Sequence, residues 1–138
     1  MFSFETQLRV RYADTDQMRV VYHAKFIEYF EVGRTDAIRS IGITYRNLEE
    51  SGIMMPVVSL ECKYIRPALY DDLLTIRTSL ETLPSGYRIS FLQEVFNESG
   101  KLLCTGKIGL YFMDSKTHTK TDIPELLTEK LKPYFQNQ

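Results

Sequence analysis

The sequence has no tryptophan, only two cysteines and two histidines, and a formal net charge of -1. Each shortage removes a class of protein. A near-neutral chain lacks the basic excess that holds a nucleic-acid backbone. So few histidines and cysteines, with no close cysteine pair, do not make a structural zinc site. Cys62 and Cys104 both fall on the apolar side of alternating runs, so they are expected as buried thiols in a reducing, cytoplasmic setting. No apolar run approaches the roughly 20 residues of a membrane span. The opening MFSFETQLRV lacks the basic stretch and apolar block of a signal peptide. Repeats, low-complexity tracts and linkers are missing too, as are a Gly-x-Ser-x-Gly elbow and a phosphate-cradling glycine loop. What remains is 138 residues, 43% apolar and 25% charged. That predicts one domain over 1–138, large enough to bury a core without staples.

Periodicity organises the rest. Residues 4–12 alternate, with Phe4, Leu8, Val10 and Tyr12 on one side and Glu5, Gln7, Arg9 and Arg11 on the other, which predicts a strand. From 23 to 41 the period changes. Phe26, Phe30, Gly33, Ala37 and Ile41 recur at steps of three and four, which predicts a long amphipathic helix that stops at Gly42. Thr44 to Gly52 reads as a short capped helix. Strands follow over 57–66, 73–83, 87–96 and 102–113, with turns at 84–86 and 97–100. A last helix is expected in DIPELLTEKLKPYF, with Asp122 near its cap. Four late strands joined by short turns imply antiparallel neighbours. One long helix against five strands is an α+β arrangement. A single helix cannot cover both faces of that sheet, so its edges and second face need polar cover or a partner.

The stretch RYADTDQMRVVYHAKFIEYFEVGRTD gathers two acids, a histidine and a helix start. Together with GIMMPVVSLECKYIRPALYDDLLTI it resembles the hotdog-fold acyl-CoA thioesterases. The resemblance is to the 4-hydroxybenzoyl-CoA thioesterase type, including the bacterial thioesterases associated with the Tol-Pal system. It spans roughly residues 5 to 113. It implies a five-stranded antiparallel sheet wrapped around one central helix, assembled as a homodimer or homotetramer by edge-to-edge pairing of sheets. It implies an acyl-CoA substrate, with CoA entering as part of that substrate and no metal or bound cofactor. It also assigns roles: Asp16, the second acid, lies beside the thioester, and the helix start at His23 gives a backbone N–H to the thioester carbonyl. Val21 and Tyr22 would wall the pocket. Two positions depart from the pattern, Arg19 where glycine is usual and Lys25 where asparagine is usual.

The chemistry suits these residue types. A carboxylate can orient a water as general base or attack the carbonyl itself. A helix N-terminus offers unpaired N–H groups and a positive dipole end to an oxygen gaining charge. The plainer readings are a turn for Asp14 held by its own backbone, close packing at Gly33, and a solvated loop for His118. Arg19 is expected either to attract CoA, to block the site, or to sit idle on the surface. A non-catalytic acyl-CoA-binding hotdog protein is the main rival function, and a hotdog dehydratase the weaker one.

Overall fold

The computed structural model describes residues 1–136. The N-terminal alternation becomes strand β1 (Phe2–Arg9), shorter at its C-terminal end than its pattern. Beyond it the chain turns through a short 3-10 helix at Tyr12–Asp14, and this carries Tyr12 out into solvent rather than onto the core face. The helix α1 covers Lys25–Ser40, then α2 covers Tyr45–Glu50. The strands β2 (Ile53–Met54), β3 (Val57–Tyr64), β4 (Leu73–Leu80), β5 (Arg88–Phe96), β6 (Leu102–Tyr111) and β7 (Met113–Asp114) follow, then α3 (Glu125–Leu131), which runs into a short 3-10 helix at Lys132–Tyr134. As expected, the Thr44 side chain caps α2 by accepting from the Asn47 N–H at 3.0 Å. Asp122 does not cap α3; Pro124 holds that place.

Five strands form one antiparallel sheet in the order β1-β4-β5-β6-β3. This corrects one inference from the short connections. β3 and β4 are consecutive in sequence, but β5 and β6 lie between them in the sheet. The segment 65–72 therefore crosses the end of the sheet, where Ala68 and Leu69 meet Val21 and Val20. β2 and β7 make a separate two-stranded ribbon.

Helix α1 lies across the sheet because its apolar stripe needs cover. Phe26, Phe30, Ala37 and Ile38 are buried against Leu74, Ile76, Phe91, Val95 and Ile108. Each of the larger side chains among these contributes about 1.5–3 kcal/mol when fully buried. Gly33 does what a glycine in that stripe predicts. A Cβ there would stand 2.6 Å from Ile76 and 2.8 Å from Thr78. The close approach lets Gln93 on β5 donate to the Phe30 carbonyl at 2.7 Å and to Thr78 at 3.0 Å, while its own oxygen accepts from the buried Arg34 at 3.0 Å.

The helix rests mainly on β1, β4 and β5. β3, at the far edge, is left largely uncovered, and seven of its eight residues are exposed. Val57, Val58, Leu60, Tyr64 and the adjoining Ile65 are apolar or aromatic and face solvent. Cys104 on β6 is buried, as expected, whereas Cys62 on β3 is only half-buried; both are free thiols with sulfurs 3.4 Å apart. Among the described residues no helix is long and apolar enough to cross a membrane.

Candidate active site

The two acids of the D-x-D sit on a small hairpin that precedes α1. Thr15 and Val21 face each other across it, the Asp16 N–H donates to the Val20 carbonyl at 2.9 Å, and the Tyr22 N–H donates to the Asp14 carbonyl at 2.8 Å. The loop Gln17–Arg19 closes it, with the Arg19 N–H donating to the Asp16 carbonyl at 3.0 Å. Arg19 has φ 66°. A three-residue hairpin loop needs a left-handed residue at its last position, and that place favours glycine. Backbone conformation thus favours glycine at this position, a reason the sequence alone did not supply.

The hairpin brings the acid arm alongside the arm that runs into the helix. Asp16 is half-buried, and one carboxylate oxygen accepts the Met18 N–H at 2.8 Å. That bond fixes the side chain and leaves the second oxygen without a protein donor among the described residues. The first turn of α1 is built from i to i-3 bonds, Lys25 to Tyr22 at 2.9 Å, Phe26 to His23 at 3.4 Å and Ile27 to Ala24 at 3.2 Å. The N–H groups of His23 and Ala24 donate to no acceptor among the described residues. The helix proper starts at Lys25, two residues later than its period suggested, so His23 lies in the turn that leads in.

A cleft of about 300 Å³ opens beside this turn, lined by Val21, His23, Phe26, Tyr64, Ile65 and Arg66, with Pro67. Val21 is almost fully buried, so it contributes both to the core and to the cleft wall. Tyr22 is exposed, its ring centroid 4.4 Å from that of His23 and tilted 46° to it, outside the cleft lining. The Arg19 side chain is exposed. Lys25 is committed elsewhere: its ammonium is 3.0 Å from Glu28 and 4.0 Å from Asp14.

Asp14 is a different kind of acid. It is 3% exposed. It accepts from the Tyr29 hydroxyl at 2.9 Å and from the Arg11 N–H at 3.0 Å, with the Arg11 guanidinium at 3.4 Å. Burial alone would raise its pKa. The Arg11 N–H, the Tyr29 hydroxyl and the nearby charges of Arg11 and Lys25 outweigh that and hold the carboxyl below its ordinary value. The backbone-held turn read from the sequence is present, but Asp14 is also the tether between that turn and α1.

Sequence reasoning missed Tyr64. Its hydroxyl donates to the His23 carbonyl at 2.8 Å, and its ring meets Phe26 and His23 edge-on. It lies 41 residues from His23, and only the β3 register places it there. Also missed was a second cleft of about 330 Å³ further along α1, lined by Arg34, Tyr45 and apolar residues including Leu48 and Met55. The Tyr45 hydroxyl is buried there near Arg34 and, among the described residues, makes no hydrogen bond.

Residues 10–131 match the sequence profile of the thioesterase-like superfamily. The chain is 27% identical over 129 residues to an acyl-CoA thioester hydrolase, YbgC, of Escherichia coli O6:H1, covering 94% of this chain and 96% of the relative. It is 35% identical over 97 residues to the acyl-CoA thioesterase YbgC of Haemophilus influenzae, covering 70% and 71%. Among solved structures, a DHNA-CoA thioesterase from Staphylococcus aureus superimposes with a TM-score of 0.84 at 32% identity, over 99% of this chain and 86% of that one.

Proposed function

The chain belongs to the thioesterase-like superfamily, with its α+β hotdog fold, and on that premise we propose that it hydrolyses acyl-CoA thioesters to a free acid and CoA. The observation that carries the reading is the hairpin. It sets a fixed carboxylate, Asp16, on one arm and two free N–H groups, His23 and Ala24, at the end of the other. In this reading the thioester carbonyl oxygen docks at the helix start. A water held by the free oxygen of Asp16 attacks the carbonyl carbon and gives its proton to the carboxylate. The oxyanion of the tetrahedral intermediate is held by the N–H groups. The intermediate collapses, the C–S bond breaks, and the CoA sulfur leaves with a proton. Direct attack by Asp16 is the other route, and would pass through an anhydride. Val21 walls the acyl side, and Arg19 lies on the outside of the hairpin, where it could attract the anionic CoA moiety.

The test is thiol release from a panel of aliphatic and aromatic acyl-CoA esters. Turnover of at least one ester is expected, and binding of every ester without thiol release would favour a non-catalytic acyl-CoA-binding protein.

The assembly reading rests on β3. An edge strand with unpaired backbone groups and exposed apolar residues is a template for pairing. We place a second copy of the chain along that edge, as a homodimer or a dimer of dimers, near the cleft that β3 helps to line. Light scattering at micromolar concentration should give the mass of two or four chains. A fully active monomer would contradict it.

A further inference from the structure

Tyr64 ends β3 on the face turned toward α1, opposite Cys104 of β6. The acceptor of its hydroxyl is unusual. In a regular helix the His23 carbonyl would accept the Ile27 N–H four residues on. Here the Ile27 N–H goes to the Ala24 carbonyl, and the Phe26 N–H reaches His23 only at 3.4 Å. The 2.8 Å bond from Tyr64 is therefore the short contact holding that carbonyl. Without it the His23–Ala24 peptide would be tied mainly by one long bond in a first turn of i to i-3 contacts.

The same peptide unit carries the Ala24 N–H. A trans peptide is planar, with its C=O and N–H pointing in opposite directions, and the described residues include no cis bonds. Fixing the carbonyl thus fixes the direction of the N–H. A hydrogen bond accepted at a carbonyl also polarises the amide and strengthens its N–H as a donor, by about 10–30%. Burial, with the neighbouring Cys62 thiol, pushes the Tyr64 hydroxyl above its ordinary range, so it remains a neutral donor at physiological pH.

We infer that Tyr64 is a positioning residue of the proposed hydrolysis, acting through the His23–Ala24 peptide to aim and strengthen the Ala24 N–H as a second oxyanion donor. The inference rests on the reading that the thioester carbonyl docks at the start of α1. It assigns the sheet edge a part in the chemistry: β3 holds the helix start in its working orientation.

Tyr64→Phe is the test, because it keeps the ring against Phe26 and His23 and removes only the hydroxyl. Losing one such bond in the transition state corresponds to roughly 3–10-fold in kcat. The expected result is that loss with KM within about twofold, an unchanged assembly mass and a melting temperature within a few degrees of wild type. The kcat–pH profile should be displaced downward in parallel, since the hydroxyl is not titrating. A profile of changed shape would make Tyr64 an acid or base and overturn the positioning role. Wild-type kcat in Tyr64→Phe, or a raised KM at unchanged kcat, would also overturn it. Asp16→Asn, run beside it, separates the two levels. If Asp16→Asn is inactive while Tyr64→Phe is normal, only this inference falls. If Asp16→Asn has wild-type activity, the docking reading falls and takes this one with it.

Discussion

Asp14 and Asp16 stand two residues apart, in a stretch where the sequence offers little to tell them apart. The fold separates them. Asp14 points into the protein, where a tyrosine hydroxyl, a backbone N–H and two cations surround it. Asp16 stays at the surface of the hairpin, with one oxygen tied by a single backbone bond. A carboxylate whose acceptor positions are taken has little left to offer a substrate, whereas one held in place at a single oxygen can still take a proton. In the proposed mechanism the surrounded acid serves stability and the half-free one chemistry. The D-x-D spacing lets one short turn carry both.

The sharpest way to break this division is Asp16→Asn. Removing a general base costs about 10²–10⁴-fold in rate. The substitution should lower kcat by that amount while the melting temperature moves little. An unchanged kcat measured by thiol release would end the assignment.

Asp14 should behave in the opposite way. Asp14→Ala leaves the Tyr29 hydroxyl and the Arg11 N–H without their acceptor, at a nearly buried position on the wall of a cleft of about 320 Å³. Two fully buried orphans would cost roughly 2–6 kcal/mol together; water entering from the cleft lowers this, so denaturant unfolding should show a loss of roughly 2–4 kcal/mol. Residual activity should follow the folded fraction. If Asp14→Ala abolishes turnover in protein shown to be folded, the two roles are not separate.

The same contrast has a pH signature. Asp14 is held below its ordinary value in the folded protein. A depressed folded pKa contributes stability that is complete above the unfolded value, about 3.9, and is lost as pH falls through the folded one. Wild type should therefore exceed Asp14→Asn in stability by a constant margin at neutral pH. That margin should shrink once the pH drops below about 4. A margin that stays constant down to pH 2 would show that the charge of Asp14 is not what its partners bind.

The periodic elements were legible in the sequence because burial writes itself as period. Phe26, Phe30 and Ala37 marked α1, and Thr44 with Gly52 bracketed α2. The family was legible because acids, histidine and helix register occur together. Sheet order was not. The eight residues between β3 and β4 look like a local turn, and only the three-dimensional pairing sends β3 to the far edge. Tyr64 was hidden for the same reason: its partner is set by a long-range register rather than by local spacing. Asp14 was half-legible. Its backbone bond to Arg11 is local, but the Tyr29 hydroxyl comes from the second turn of α1.

Arg19 gives the smallest expected effect and joins the two acids in one turn. It lies three residues after Asp16, in the left-handed backbone region at φ 66°. A non-glycine residue there costs roughly 1–2 kcal/mol, and glycine would remove that cost. Glycine also loses more freedom on folding, by about 0.5–1 kcal/mol, which offsets part of the gain. Arg19→Gly should therefore be neutral or stabilising by up to about 1 kcal/mol, read by denaturant midpoint. A clear destabilisation would mean that the Arg19 side chain makes interactions worth more than the strain. The charge is tested separately, by KM for an acyl-CoA at low and high salt. If Arg19 draws in the anionic CoA moiety, Arg19→Gly raises KM at low salt and the difference closes as salt screens exposed charges. With Lys25 already engaged by Glu28, no second new cation would mask the change. Equal KM at both salt levels would confine Arg19 to closing the hairpin, and a large rise in kcat would show that its bulk had been blocking the site.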